Sequence, residues 1–166
     1  NHTPCSLLGH PLTWPVLLAP VAHLHAAHPD GELATAFAAN ACETGMVLTA
    51  QSATPVEAVA SIMQQDHPHS PLFFQMVWQG SLAASLALVD RATNAGSQAI
   101  VFTVDAPVQG IRDAELRHPL QLPAQWQSVH GQAQPAPLTQ HSLCGGLAVV
   151  APTWDDIYDV VQASPI

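Results

Sequence analysis

The stretch LFFQMV at residues 72–77 is an almost uninterrupted apolar run, and a second run, AIVFTV, follows at residues 99–104. Apolar runs without alternation are typical of strands that are buried on both faces of a parallel sheet. Between the two runs, residues 81–95 place apolar side chains at helical spacing, and Gly96 follows as a helix stop. Together these segments predict a strand–helix–strand unit.

The same alternation extends towards the start of the chain. Apolar runs at 14–20 and 45–49 predict two further strands, and each run is followed by a segment with helical spacing. No GxGxxG motif follows the first strand, and the strands recur at an even interval. This pattern favours the α/β class and a (β/α)₈ TIM barrel over a Rossmann fold. Since a full barrel needs about 250 residues, the 166 residues predict about the first four β/α units.

Capping patterns predict where two helices begin, and apolar spacing predicts the inward side chains of three. The first helix, at 31–41, has apolar residues at Leu33, Ala34, Phe37, Ala38 and Ala41. The second is expected to run from a Thr54 cap to about Met63, with Pro55 at its first position, Glu57 three residues after the cap, and Ala58, Val59 and Ile62 facing inward. The last is expected to begin at a Thr153–Asp156 capping box and to bury Ile157, Val160 and Val161.

Composition narrows the range of functions. Hydrophobic residues make up 48% of the chain and charged residues 9%, the formal net charge is −9, and three arginines are the only basic residues apart from histidine. Nucleic acid and anionic membrane surfaces are therefore poor partners. Three dispersed cysteines without a CxxC pair, and no apolar run long enough to cross a bilayer, favour a soluble protein in the reducing cytoplasm.

Polar side chains stand at the predicted carboxyl ends of three strands, where barrel active sites form. They are Thr49, Gln75, Thr103 and Asp105. Each alone has an ordinary explanation, since threonine favours strands, but an amide flanked by Phe74 and Met76 must find hydrogen-bond partners. As a set they predict the polar floor of a site.

Several blocks in one order resemble the FMN-dependent α-hydroxy-acid dehydrogenase and oxidase family, which includes glycolate oxidase, lactate oxidase and mandelate dehydrogenase. The blocks are LAPVA at 18–22, HPDGE at 28–32, FFQ at 73–75, AIVFTVDAP at 99–107 with Gly110 and Arg112, and WDDI at 154–157. The resemblance extends over nearly the whole chain, so it implies one partial FMN-binding barrel domain at 1–166.

The resemblance implies FMN as the cofactor and assigns residues to it. The backbone at Pro20, Val21 and Ala22 would lie along the isoalloxazine ring, and Thr49 stands where the family usually has a flavin-contacting serine. Gln75 and Thr103 would hydrogen-bond the pyrimidine edge of the flavin.

The resemblance also implies oxidation of a small 2-hydroxy acid, such as lactate or glycolate, to a 2-oxo acid. Arg112 would bind the substrate carboxylate, and Asp105 would orient and charge-stabilise a catalytic histidine. That histidine, a fifth-strand lysine and the phosphate-binding loops belong to later strands of the family, which implies a complementing part of the barrel and weak FMN binding by these residues alone. Family members are commonly homo-oligomers.

Three alternatives stay open at this point. Val77 replaces the family tyrosine that binds substrate, which favours a non-catalytic or degenerate half-barrel instead of an active enzyme. The histidine-rich segments 23–28 and 67–69 suggest a metal site, although zinc needs three or four converging ligands, so no metal is expected. Residues 124–148 lack periodicity and are expected to form a mobile loop after the fourth strand, either a lid or a plain surface loop.

Overall fold

The computed structural model describes residues 4–105, 113–118, 122–131 and 152–166. Its strands are β1 Cys5–Leu7, β2 His10–Leu12, β3 Leu17–Leu18, β4 Gly45–Thr49, β5 Leu72–Met76 and β6 Ala99–Phe102. Its helices are α1 Gly31–Ala41, α2 Val56–Met63, α3 Leu82–Asn94, α4 Asp113–Arg117 and α5 Trp154–Ala163, with 3₁₀ turns at Leu24–Ala26 and Ala124–Trp126. Across these ranges, none of the helices combines the length and apolarity that crossing a bilayer requires.

Strands β3 to β6 form one parallel sheet in the order of the chain, as the strand–helix alternation predicts. Met46 pairs with Leu72 at one end of the β4–β5 ladder and Thr49 pairs with Gln75 at the other. Because strand order follows chain order and a helix follows each of three successive strands, the sheet has the connectivity of a (β/α)₈ barrel. Within the described ranges β3 and β6 each pair on one side only, so the sheet is open.

The two faces of this sheet differ in what covers them. On the helix face, Met46, Leu48, Phe74 and Met76 pack with α1, α2, α3 and α5 in one buried cluster. On the opposite face, which we call the interior face, Val47, Phe73 and Ala99 form a second, much smaller cluster with Leu17 beside it. Alternation along each strand places Thr49 and Gln75 on this interior face, at the carboxyl ends of their strands.

The buried side of α1 differs from the predicted one. Phe37 is 61% exposed, whereas Ala36 and Ala39 are buried together with two polar residues, Glu32 and Asn40. Asn40 is satisfied because its amide donates to the Met63 carbonyl, at 2.9 Å, and to a second carbonyl in the loop after α2. Apolar spacing identified the helix correctly and its buried side incorrectly, because small and polar residues form the contact with α2.

The predicted capping of α2 by Thr54 is wrong. The Thr54 hydroxyl donates instead to Glu32. Pro55 occupies the N-cap position of α2 and makes no side-chain hydrogen bond to the helix. The Val56 N–H of the first turn donates to Nε2 of His130, at 3.0 Å. A residue 74 positions later in the chain therefore satisfies a donor that local sequence was expected to satisfy.

Side chains cap two other helices, and the cap of α5 is the one that the sequence predicts. The Ser81 side chain accepts from the backbone of α3 and caps it. At α5 the reciprocal Thr153–Asp156 capping box is complete. Only one side of α5 packs on the core, however, so Val160 is 3% exposed while Val161, predicted to be buried, is 62% exposed.

An antiparallel hairpin, β1–β2, precedes the sheet and has no counterpart in the sequence predictions. Its two-residue turn has positive φ at both Leu8 and Gly9, the conformation that matches the twist of a tight hairpin. The ring of His10 contacts Phe73 edge to face, with centroids 5.9 Å apart. The hairpin therefore covers part of the interior face near the amino ends of the strands.

Candidate active site

A line of hydrogen bonds joins the carboxyl ends of three neighbouring strands. The Thr49 hydroxyl donates to Oε1 of Gln75 at 2.6 Å, and Nε2 of Gln75 donates to Oγ1 of Thr103 at 2.9 Å. The backbone N–H of Gln51 in turn donates to the Thr49 hydroxyl at 3.1 Å. The three side chains that the sequence singled out at these strand ends are thus brought into direct contact.

This line holds both ends of the Gln75 amide. Thr49 donates to its oxygen and Thr103 accepts from its nitrogen. Gln75 retains a second amide hydrogen and Thr103 retains its hydroxyl hydrogen, and both residues are half-buried. The edge therefore presents oriented donors and acceptors beside solvent, which suits a ligand with a mixed edge of carbonyl and N–H groups, such as the pyrimidine side of a flavin.

The segment after β3 lies next to this line. Val21 and Thr49 both line a cavity of about 170 Å³ at the end of β3, together with apolar residues of β3 and β4 and the side chain of Glu32. Pro20 and Val21 are exposed, and Ala22 is half-buried. The structure therefore brings the predicted backbone segment and Thr49 to one edge of the sheet.

The two predicted charged residues are placed differently. Asp105 lies just beyond β6 and is exposed, and within the described ranges no histidine is hydrogen-bonded to it. Arg112 lies outside the described residues. In the same ranges, no three histidine, cysteine or acidic side chains converge as metal ligands would.

Comparison with known proteins identifies the family. The profile of the FMN-dependent dehydrogenase family matches residues 1–165. The chain belongs to this family. It is 37% identical over 172 residues to an L-lactate oxidase of Roseobacter sp. (strain GAI101), which covers 100% of this chain and 45% of that protein. It is 39% identical over 113 residues to a peroxisomal (S)-2-hydroxyacid oxidase of Arabidopsis thaliana, which covers 68% of this chain and 30% of that protein.

Solved structures of the family agree with the fold. A mandelate oxidase mutant with a C4a-OH-FMN adduct superposes with a TM-score of 0.80 at 28% identity, over 99% of this chain and 44% of the other. A mandelate oxidase with 3,3-difluoro-2-hydroxy-3-phenylpropionic acid superposes with a TM-score of 0.79 over 43% of its chain. The predicted partial TIM barrel is thus confirmed, and the chain spans less than half the length of these family members.

Residues 124–131, the described part of the predicted loop, dock beside the site. The Ser128 hydroxyl donates to the carbonyl of Ala50, the residue after Thr49, at 2.6 Å, and the Val129 N–H donates to the Ser52 carbonyl at 3.2 Å. His130 is buried and contacts Phe74 edge to face. This segment, which follows β6 in the chain, is therefore attached to the loop that follows β4.

Electrostatics at this docking point favour neutral His130. Burial, and then the positive charge of Arg91, lower the pKa of His130 below its ordinary value. Arg91 also donates to both carboxylate oxygens of Glu57, at 2.8 and 3.0 Å. This bidentate pair lowers the pKa of Glu57 to about 2. A neutral imidazole with an unprotonated Nε2 is the form that accepts from Val56.

Sequence reasoning missed a second polar group, beneath the loops of the site. Glu32 is fully buried, its Oε2 accepts from the Thr54 hydroxyl at 2.7 Å, and Nδ1 of His25 lies 3.2 Å from the same oxygen. Glu32 and Gly31 belong to the HPDGE block, which served only as a family signature. The group could have been found from the sequence of α1, where a glutamate in the first turn is followed by small residues, such as Ala36 and Ala39, on the same side of the helix.

Proposed function

We propose that this protein is part of an FMN-dependent oxidoreductase that oxidises a 2-hydroxy acid to a 2-oxo acid. The observation behind the proposal is the hydrogen-bonded line Thr49–Gln75–Thr103 at the strand ends. Its oriented donors and acceptors fit the pyrimidine edge of a flavin, and family membership supports the same cofactor. Relatives named for lactate and 2-hydroxy acids support the substrate class.

The residues of this chain would have separate roles in that reaction. FMN, when bound, supplies the acceptor for the hydride. The backbone at Pro20, Val21 and Ala22 would support the ring, and Gln75 and Thr103 would bind its polar edge while Thr49 holds the Gln75 amide in place. Because hydrogen bonds within the line hold Gln75 and Thr103 in place, their binding groups would need little reorganisation to contact the ring.

The charged residues would act on the substrate side. Arg112 would pair with the substrate carboxylate through a bidentate guanidinium. Asp105 would orient a histidine from the remaining strands and stabilise its positive charge once it takes the hydroxyl proton of the substrate. Both roles follow from the family match of the segment after β6.

A closed (β/α)₈ barrel has eight strands, and the described parallel sheet has four. We propose that further strands cover the interior face in the working protein. Open sheet edges at β3 and β6, and an interior residue, Val101, that is 38% exposed, support this arrangement. Family membership supports additional contacts between copies in a homo-oligomer. Free thiols at Cys5 and Cys42 support a reducing, cytoplasmic location.

A flavin test decides between this function and a non-catalytic one. The purified chain is examined by visible absorption with and without FMN, alone and co-expressed with the carboxyl-terminal half of the Roseobacter L-lactate oxidase. A yellow protein whose absorption is bleached anaerobically by L-lactate, glycolate or mandelate is the expected result for the complemented barrel. A protein that stays colourless in both preparations overturns the proposal.

Matched glutamine variants connect the result to the site. Gln75→Leu removes the central amide of the line and is expected to weaken FMN binding about tenfold, on the scale of residues that orient a bound group. Gln65→Leu makes the same chemical change at an exposed position after α2 and is expected to leave FMN binding unchanged. Equal FMN affinities for the two variants would remove Gln75 from the site.

A second candidate function is a flavin-binding or structural half-barrel without catalysis. The observation that favours it is Val77, a half-buried aliphatic residue directly after β5 where the family resemblance calls for a substrate-binding tyrosine. This candidate predicts a yellow protein that no 2-hydroxy acid bleaches. If Val77→Tyr then restores bleaching, the loss is confined to substrate binding.

A further inference from the structure

We propose that Glu32 is a positioning residue that fixes the two loops expected to hold the flavin, the segments 19–26 after β3 and 50–54 after β4. The inference rests on the proposed function for its consequence, because those loops contain or adjoin Val21 and Thr49. Its structural part concerns only contacts of this chain.

The burial of Glu32 is unusual enough to need a cause. The residue is 0% exposed, and a carboxylate removed from water is costly unless hydrogen bonds and nearby charge compensate for it. Its place in the first turn of α1 supplies part of the compensation, since the amino end of a helix favours negative charge. The rest comes from side chains on two separate loops.

One oxygen of Glu32 joins these two loops. Oε2 accepts from the hydroxyl of Thr54 at 2.7 Å, and Nδ1 of His25 lies 3.2 Å away, which is ion-pair distance for a protonated imidazole, without a hydrogen bond between them. His25 lies in the 3₁₀ turn that follows Val21 and Ala22 directly. Thr54 closes the loop that begins after Thr49. The carboxylate is therefore a shared anchor for both predicted flavin segments.

The anchor continues into the polar line of the site. The Ser52 hydroxyl donates to the Thr54 carbonyl and accepts from the Thr54 N–H, both at 2.9 Å, which stiffens the loop on the Glu32 side. On the other side, the Gln51 N–H donates to the Thr49 hydroxyl, which holds the Gln75 amide. Polar contacts thus run from Glu32 through loop 50–54 to the edge of the sheet.

The backbone before Glu32 is shaped around His25. Gly31 has a φ of +47°, and a Cβ added there would lie 2.4 Å from Nδ1 of His25. A side chain at this position would therefore displace the imidazole, in addition to the strain of the left-handed backbone. The close approach of His25 to the start of α1 depends on glycine.

The second carboxylate oxygen of Glu32, Oε1, connects this residue to the cavity of the site. Oε1 of Glu32 is buried and has no hydrogen-bond partner within the described ranges, and Glu32 lines the cavity that Val21 and Thr49 also line. A cavity of about 170 Å³ has room for ordered water. Glu32 therefore lies between the two loops and a cavity of the site, a position from which it can hold both loops in place.

Amide hydrogen exchange of the FMN-free chain tests the structural part. Glu32→Leu removes both ties and is expected to speed exchange at least about tenfold in both loops, the factor set by a hydrogen bond to a charged group. Thr54→Val removes one tie and is expected to speed exchange in loop 50–54 alone. Asp90→Asn, which removes an exposed carboxylate on α3, serves as the control and should change neither loop.

FMN affinity, measured by flavin fluorescence in the complemented preparation, tests the consequence. Glu32→Leu and Thr54→Val are expected to weaken FMN binding about tenfold, and Glu32→Gln, which preserves the shape and the acceptor for Thr54, should recover most of the affinity. If Glu32→Leu does not fold, the loop-selective pattern of Thr54→Val decides the question. Unchanged exchange in both loops, or a uniform change across the chain, overturns the inference. Loosened loops in the variants, together with a wild-type chain that does not bind FMN, would support the anchor while refuting the proposed function.

Discussion

The helix face and the interior face of the sheet are built from the same strands and differ in how they are completed. Among the residues that the structure describes, sixteen buried residues from the sheet and four helices form the helix-face cluster, whereas three form the interior cluster. Phe74 and Phe73 are neighbours in β5, yet Phe74 lies in the first cluster and Phe73 in the second, against the hairpin residue His10. The outer layer of the barrel is therefore packed within this chain, and the interior is covered only in part.

This difference separates stability from function in the molecule. The helix face supplies most of the buried apolar area and hence most of the stability. The interior face carries the polar line of Thr49, Gln75 and Thr103, half open to solvent. Substitutions on the helix face should therefore act on folding, and substitutions on the interior face should act on ligand binding.

The largest expected effect compares the two phenylalanines. Phe74→Ala should lower the free energy of unfolding by about 3–5 kcal/mol, because it leaves a cavity within the main cluster. Phe73→Ala should cost at least about 1 kcal/mol less, because fewer buried neighbours surround it. Urea unfolding of both variants, followed by far-UV circular dichroism, measures the two losses. Equal losses would show that the hairpin completes the interior core.

The second effect is a pH dependence at the rim of the helix face. Since the folded state lowers the pKa of His130 below 6.5, the unfolded chain takes up the proton first. The contribution of His130 is thus complete above about pH 6.5 and declines as the pH falls below that value. We expect a loss of about 1 kcal/mol, typical of a helix cap. Unfolding curves from pH 7.5 to 5 measure it, and His130→Gln, which accepts without titrating, should flatten the profile.

A smaller effect is expected from the ion pair between α2 and α3. Glu57 has a folded-state pKa of about 2 against an ordinary value of 4.5, so its contribution is complete above pH 4.5 and is lost as the pH falls towards 2. Both partners are partly exposed, so Glu57→Gln should cost under about 1 kcal/mol at neutral pH. Thermal unfolding in low and high salt measures it. Asp90→Asn, an exposed carboxylate on α3, is the matched control and should be neutral.

The smallest effect concerns the uncovered interior. Val101→Ser should change the stability of the chain alone by about 0.5 kcal/mol or less, because the side chain is already 38% exposed. In the barrel complemented by a carboxyl-terminal half, the same change should cost more, since the position would then be buried. Thermal unfolding of both preparations gives the comparison. An unchanged cost on complementation would mean that added strands do not cover this face.

Strand and helix positions followed from local patterns, and the choice of buried helix sides did not. Runs such as 72–77 and 99–104 define strands because parallel strands are apolar on both faces. Apolar spacing predicted the wrong buried side for α1, where Phe37 is exposed and Asn40 is buried. The contact with α2 favours small residues that pack closely and Asn40, whose amide donates to a carbonyl at the end of α2. Thr54 met the rules of a helix cap, but a buried carboxylate competes for its hydroxyl.

The candidate site shows the same division. Thr49, Gln75 and Thr103 were predicted because carboxyl ends of parallel strands meet at one edge, and the structure joins them by hydrogen bonds. The distances, the orientation of the Gln75 amide and the docking of His130 on α2 could not be predicted, since they depend on residues 26 to 74 positions apart.

The sequence by itself determined the order of the parallel strands and of the helices between them, the family and the polar residues at the strand ends, because these depend on periodicity and short motifs. Only the tertiary structure decided which polar groups are hydrogen-bonded to each other, which carboxylate is buried and which face of the sheet remains open. Those properties arise where segments distant in the chain compete for the same donors, acceptors and space. Glu32 is the clearest case, since its role is visible only once α1 and the loops after β3 and β4 have met.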